Sequence, residues 1–145
     1  MKIFHKDADY AVRLLVYLAT QDDEYRSSAE LAEALGIPLN YLRRIGTKLI
    51  GGGFLSAREG KHGGVRLSLP PKAIHLLELM ELFHGRPELS ECTLRKKICP
   101  NRKKCVLRRR IQHIEEIVAK EFRAITIQSL VDDMSRGKTC LARDG

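Results

Sequence analysis

Apolar residues recur at Tyr10, Leu14, Tyr17 and Leu18, with Ala11 and Leu15 widening the same face. This three-to-four spacing predicts an amphipathic helix from about Lys6 to Thr20. After the polar turn Gln21-Asp22-Asp23-Glu24, Ser27-Ser28-Ala29-Glu30 has the form of a capping box. There serine and glutamate each satisfy a free amide at a helix start. Ala29, Leu31, Ala32 and Leu35 make a short second helix, which Gly36 is placed to end. Ile37-Pro38 opens a third helix, because proline is tolerated in the first helical turn. Its buried stripe is Leu42, Ile45 and Leu49. Asn40, Arg43, Arg44, Thr47 and Lys48 fall on the other side, a basic face without an acid.

Gly51-Gly52-Gly53 stops that helix, and the period then changes from helical to alternating. Phe54 to Arg58 and Val65 to Leu69 read as two strands around a turn containing Gly60, Gly63 and Gly64. Val65, Leu67 and Leu69 are expected to point inward, with Arg66 and Ser68 outward. Pro70-Pro71 is expected to open a fourth helix running to His84. Ile74, Leu76, Leu77, Leu79, Met80, Leu82 and Phe83 cover nearly all of its circumference, which predicts a central core helix. A last long helix is expected from Cys105 to Ala124, with a stripe of Leu107, Ile111, Ile114, Val118 and Phe122 and with Ile117 alongside. On so small a body that stripe has little of its own chain to cover it, so it predicts a homodimer. Thr126 caps a short final helix, Ile127 to Met134, and residues 135–145 are expected to be disordered.

Two short helices joined by a tight turn have the form of a helix-turn-helix, whose second helix enters the major groove. A hairpin placed directly after it is a wing. Asn40, Arg43 and Thr47 share the exposed face and are expected to reach base edges, while Arg44 and Lys48 serve phosphates. Arg58, Lys61 and His62 at the wing are expected to meet backbone or minor groove. Ser28, Pro38 and Tyr41 complete the expected DNA-facing set.

Composition supports an anionic partner. The 145 residues carry a formal net charge of +8, which favours nucleic acid over a membrane surface because no basic amphipathic segment lies outside the globular pattern. The amino terminus lacks an apolar signal core and no stretch reaches membrane-spanning length, so a cytoplasmic protein is expected. No P-loop, nucleophile elbow or H-E-x-x-H occurs, and no enzyme activity is expected.

The remaining chemistry lies between Glu91 and Cys105. Cys92 and Cys99 are separated by six residues, and Cys99 and Cys105 by five. The stretch is too polar to fold on its own hydrophobicity, and in a reducing compartment clustered thiols point to metal or redox chemistry. Three thiolates suit an iron–sulfur cluster. Structural zinc and metal-free redox thiols are the other readings, although zinc ordinarily uses C-x-x-C knuckles and none is present. Cys140 stands apart. Of the histidines, His5, His75, His84 and His113 have no partner at metal spacing, and His113 is best placed, two helical turns after Cys105.

Met1-Lys2-Ile3 with Tyr10 to Arg13 and Leu15 to Ala19, Ile37 to Leu42, Gly53 to Ser56, Gly63-Gly64, and Ile125 to Ile127 with Leu130 together resemble one family. It is the family of winged-helix regulators that includes the iron–sulfur regulator IscR and the nitric-oxide sensor NsrR. The resemblance runs from Met1 to Met134. It implies a mainly α fold with a small β-hairpin: a winged helix-turn-helix plus a long dimerisation helix. The corresponding segments are a DNA-binding domain (1–84), a cysteine-bearing cluster-binding loop (85–104), a dimerisation helix with a short final helix (105–134) and a tail (135–145). It further implies a two-fold dimer on a palindromic double-stranded DNA operator, acting as a repressor that senses nitric oxide, iron supply or redox state. The implied cofactor is an iron–sulfur cluster, 2Fe–2S or 4Fe–4S, held by Cys92, Cys99 and Cys105. Arg108 stands where the Isc regulator has a histidine ligand, so a fourth ligand comes from elsewhere or is absent. Asp9 matches the position from which the nitric-oxide sensor supplies a carboxylate across the dimer. The plainer role for Asp9 is an ion pair with Arg13 worth ~0.3–0.5 kcal/mol. A cluster-free thiol- or small-molecule-responsive regulator on the same fold is the alternative.

Overall fold

The computed structural model describes residues 3–89 and 104–137. Within them the order is α1 (Lys6–Ala19), α2 (Ser28–Leu35), α3 (Leu39–Gly51), β1 (Leu55–Arg58), β2 (Gly64–Leu67), a 3-10 turn (Pro71–Ala73), α4 (Leu76–His84), α5 (Val106–Ala124) and α6 (Ile127–Ser135). The strands pair antiparallel, Leu55 opposite Leu67 and Arg58 opposite Gly64. Cys92, Cys99, Cys140 and most of the expected tail lie outside the described residues.

The hub is α1. Ala8, Ala11, Val12, Leu14, Leu15, Val16 and Leu18 are all buried along it, and it packs against α2, α3, α4, α6 and β2. Alanines on a helix surface let neighbouring backbones come close, while each buried leucine contributes about 1.5–3 kcal/mol of transfer free energy. The second helix begins as its composition requires: Ser27 accepts from the Glu30 amide and the Glu30 side chain accepts from the Ser27 amide. Gly36 ends it in the left-handed region, φ 62°, where a Cβ would be strained. Pro38 is the N-cap of α3 rather than part of its first turn.

The fourth helix departs from expectation. Pro70-Pro71 starts only a 3-10 turn, and Ile74 and His75 are extended before α4 begins at Leu76. The reason is a long-range pairing. His75 bridges Thr126, with the Leu76 amide donating to the Ile125 carbonyl at 2.9 Å and the Ile127 amide to the Ile74 carbonyl at 3.0 Å. His75 Nδ1 adds a bond to the Arg123 carbonyl at 2.8 Å. These contacts fasten the start of α4 to the α5–α6 corner and outweigh the local helical pattern. Ile74, Leu77, Leu79 and Met80 are nevertheless buried, and α4 lies against α1, α3 and α5.

Two further expectations are corrected. The strands are shorter than the alternating pattern, and Leu69, expected inward, lies beyond β2 and is 39% exposed. The α5 helix starts at Val106, with Cys105 as its N-cap rather than its first helical residue. Its apolar stripe divides. Ile111, Val118 and Phe122 are half-buried beside the buried Ala119, while Leu107, Ile114 and Ile117 remain 69%, 49% and 48% exposed. Thr126 caps α6 as expected, in a capping box with Ser129. Ile127 of this helix is buried in the same core as α1.

Candidate nucleic-acid interface and cysteine site

The apolar side of α3 (Leu42, Ile45 and Leu49) is buried and holds the helix against the body. Asn40, Arg43, Arg44, Thr47 and Lys48 are thereby left exposed, and Pro38 is exposed at the helix start. These residues are brought together, but they are not equally available. Arg43 projects with no ion pair or side-chain hydrogen bond among the described residues. The Thr47 hydroxyl donates back to the Arg43 carbonyl at 2.9 Å. Lys48 donates to the Phe83 carbonyl at 3.4 Å and lies over the Phe83 ring.

Tyr41 turns from the exposed face toward α1. Its hydroxyl donates to Asp7 Oδ1, and its ring meets Tyr10 edge-on with centroids 5.3 Å apart. Arg44 lies over the Tyr41 ring at 4.5 Å and reaches Asp7 at 3.5 Å. Burial, followed by the hydrogen bond to Asp7, raises the Tyr41 pKa above its usual value. Asp7 carries no signal in the sequence, because its partner lies 34 residues away. Ser28, the first residue of α2, is half-buried beside the capping box. The Ser27 amide holds the Glu30 carboxyl below the ordinary carboxylate range.

The wing is stitched to the body by a third extended segment. The Arg26 amide donates to the Val65 carbonyl at 3.0 Å and the Val65 amide to the Arg26 carbonyl at 2.9 Å. Gly64 permits this approach, because a Cβ there would collide with the Arg26 backbone. Arg58 and Arg66 project from the same face of the hairpin, opposite Ala57 and Val65, by the observed register. Both meet Tyr25, which the periodicity did not single out: the guanidinium carbons lie 4.4 and 4.8 Å from its ring centroid. Arg58 donates to the His62 carbonyl at 2.7 Å. Lys61 and His62 are exposed at the tip.

Of the cysteines, only Cys105 falls in the described region. It is a free thiol, half-buried, and its sulfur accepts from the Arg108 amide at 3.5 Å. As the N-cap of α5 the sulfur stands at a helix start, and a cysteine sulfur so placed suits ligation to an iron–sulfur centre. Among the described residues no group of three or more His, Cys, Asp or Glu side chains is arranged to hold a metal ion. Asp9 lies in the first turn of α1 and accepts from Arg13 Nε at 2.9 Å. His113 is exposed on α5. No helix among the described residues is long and apolar enough to cross a membrane.

Known proteins share this fold. Residues 4–133 match the family Rrf2, described as an iron-dependent transcriptional regulator. Protein aau3 of Rhizobium meliloti is 28% identical over 127 residues, covering 87% of this chain and 82% of its own. The structure of CymR (YrzC), the global cysteine regulator of B. subtilis, superposes with a TM-score of 0.71 at 19% identity, over 91% of this chain and 98% of that one. That of T. potens IscR gives 0.72 at 17% identity, over 97% and 93%. The oxidized form of Staphylococcus aureus CymR gives 0.63 at 22% identity, over 90% and 96%. A family match across nearly the whole chain, on a winged-helix fold, makes this protein a member of the Rrf2 family: a DNA-binding transcriptional regulator and not an enzyme.

Proposed function

We propose that this regulator is a homodimeric repressor of the cytoplasm that binds a palindromic operator, and that an iron–sulfur cluster held by Cys92, Cys99 and Cys105 controls the binding. One observation carries the reading. Cys105 is the cap of α5, the helix whose Leu107, Ile114 and Ile117 stay exposed in the single chain. A constraint on this thiol therefore acts at the root of the helix expected to set the distance between two recognition helices. In this reading residues 1–84 bind DNA, 85–104 sense, and 105–134 join the protomers. Asn40, Arg43 and Thr47 face bases; Arg44, Lys48, Arg58, Lys61 and His62 face the backbone or minor groove, with Ser28, Pro38 and Tyr41 at the edge. Asp9, contributed across the dimer and oriented by Arg13, completes the ligand set. When bound, the group supplies a centre open to nitric oxide, iron loss or oxidation. A carboxylate ligand is harder than thiolate and more easily displaced from iron–sulfide, which suits a sensing site.

A cluster-free, thiol-responsive regulator is the second reading, supported by the likeness to CymR, named a global cysteine regulator and solved in an oxidized form. Anaerobic purification separates the two. Charge-transfer absorption with acid-labile sulfide, lost in Cys99→Ala and altered in Asp9→Ala, is the expected result. Colourless protein that changes operator affinity on thiol oxidation supports the second reading. Linkage requires cluster and DNA affinities to be coupled. Equal operator binding by holo and apo protein in matched salt removes the sensing role.

A further inference from the structure

The ring of Tyr25 stands beside the wing with two guanidinium groups against it, Arg58 at 4.4 Å and Arg66 at 4.8 Å. Two cations do not gather on one ring without a reason, since they repel each other and each gives up rotamer freedom. The ring quadrupole offsets part of this cost. The backbone supplies the rest: Arg26, the next residue, pairs with Val65, the neighbour of Arg66, so Tyr25 is fixed relative to the hairpin. Arg58 is anchored a second time through the His62 carbonyl at 2.7 Å.

We propose that Tyr25 is a positioning residue for DNA binding, holding Arg58 and Arg66 as a preformed clamp for the phosphate backbone alongside the wing. This rests on the winged-helix reading of the hairpin and adds Tyr25 and Arg66 to it. An anionic group already meets Arg66, because Asp23 Oδ2 lies 3.6 Å from Arg66 Nη1. The Asp23 side chain is 82% exposed, so it makes the kind of weak surface pair that a phosphate displaces. The surrounding cleft, about 520 Å³, is lined by Asp23, Glu24 and Glu30 as well as by the cations. A small free anion inside it would meet those carboxylates. A duplex backbone passing over the wing meets the arginine ends. The occupant is therefore polymeric nucleic acid.

The clamp adds affinity by preorganisation, as two long side chains arrive with their freedom already lost. The test measures affinity and salt dependence of the full-length protein on an operator duplex recovered by selection from a random pool. Tyr25→Leu is expected to weaken binding roughly five- to thirtyfold and to lower the salt slope by about one to two units. Tyr25→Phe keeps the ring and is expected to restore both. In an Arg58→Ala/Arg66→Ala background, Tyr25→Leu is expected to have no further effect. If Tyr25→Leu binds like wild type, or weakens the arginine-free variant as much as the parent, Tyr25 does not act through these arginines. If Arg58→Ala/Arg66→Ala itself binds like wild type, the wing reading fails instead.

Discussion

The Tyr41 hydroxyl donates to the Asp7 carboxylate, joining the first turn of α3 to the first turn of α1. The same carboxylate receives Arg44 at 3.5 Å, so one acid orients two residues of α3. Tyr41→Phe keeps the edge-on contact with Tyr10 and removes the hydrogen bond. It is expected to cost about 1 kcal/mol, read as a fall in chemical-denaturation midpoint at unchanged slope. Asp7→Asn should cost a similar amount and the pair less than the sum. Additive losses would separate the two residues.

His84 supplies a pH dependence. Its ring lies 4.3 Å from that of His5, and burial first, then His5, hold its pKa below the usual histidine value, with Lys48 acting the same way and Asp7 opposing. A lowered folded-state pKa means that the unfolded chain binds the proton more readily. The contribution to stability is therefore complete above about pH 6.5 and is lost as pH falls through the folded-state pKa. Thermal melts of wild type against His84→Gln should diverge above that pH and converge below it. Parallel curves from pH 5 to 8 would contradict this.

Gly64 lies at φ 145° with its missing Cβ aimed at the Arg26 backbone. Gly64→Ala should cost more than about 2 kcal/mol, because the obstruction is backbone and cannot rotate aside. Gly36→Ala, where φ is 62° and the space is open, should cost only about 1 kcal/mol. A Gly64→Ala variant as stable as Gly36→Ala would show that Arg26 does not pair with Val65.

Ile114 and Ile117 are about half exposed on α5 (49% and 48%), and this face is proposed to meet its copy. Ile114→Glu/Ile117→Glu should sediment as a folded monomer and lose at least about tenfold in operator affinity, since one half-site remains per particle. Monomeric wild-type protein at micromolar concentration would argue against the homodimer.

Arg43 has its charge free of any partner among the described residues. Arg43→Ala should lose ~1–3 kcal/mol on the operator and less on random duplex. Equal losses on both would move Arg43 from base reading to phosphate contact. For Lys61→Ala the expected change is about one unit of salt slope on either duplex.

Local patterning by itself determined the helices, the hairpin, the caps of α2 and α6, and the basic face of α3. Each follows from residues within a few positions of one another, where periodicity and side-chain chemistry act directly. The resemblance carried in Ile37 to Leu42 and Gly63-Gly64 then named the family. Tertiary structure decided what depends on partners distant in the chain. Ile74 and His75 follow prolines that suit a helix start, yet they are extended because Ile125 and Thr126 offer them backbone partners. Tyr41 carries no sign in the sequence of a partner on α1, yet its hydroxyl donates to Asp7, 34 residues away in the chain. Tyr25 belongs to no periodic stripe in the sequence, and it is the register of β1 and β2 that brings Arg58 and Arg66 to its ring. In each case the deciding contact spans an interval over which sequence carries no period, and only the packed chain brings the two groups together.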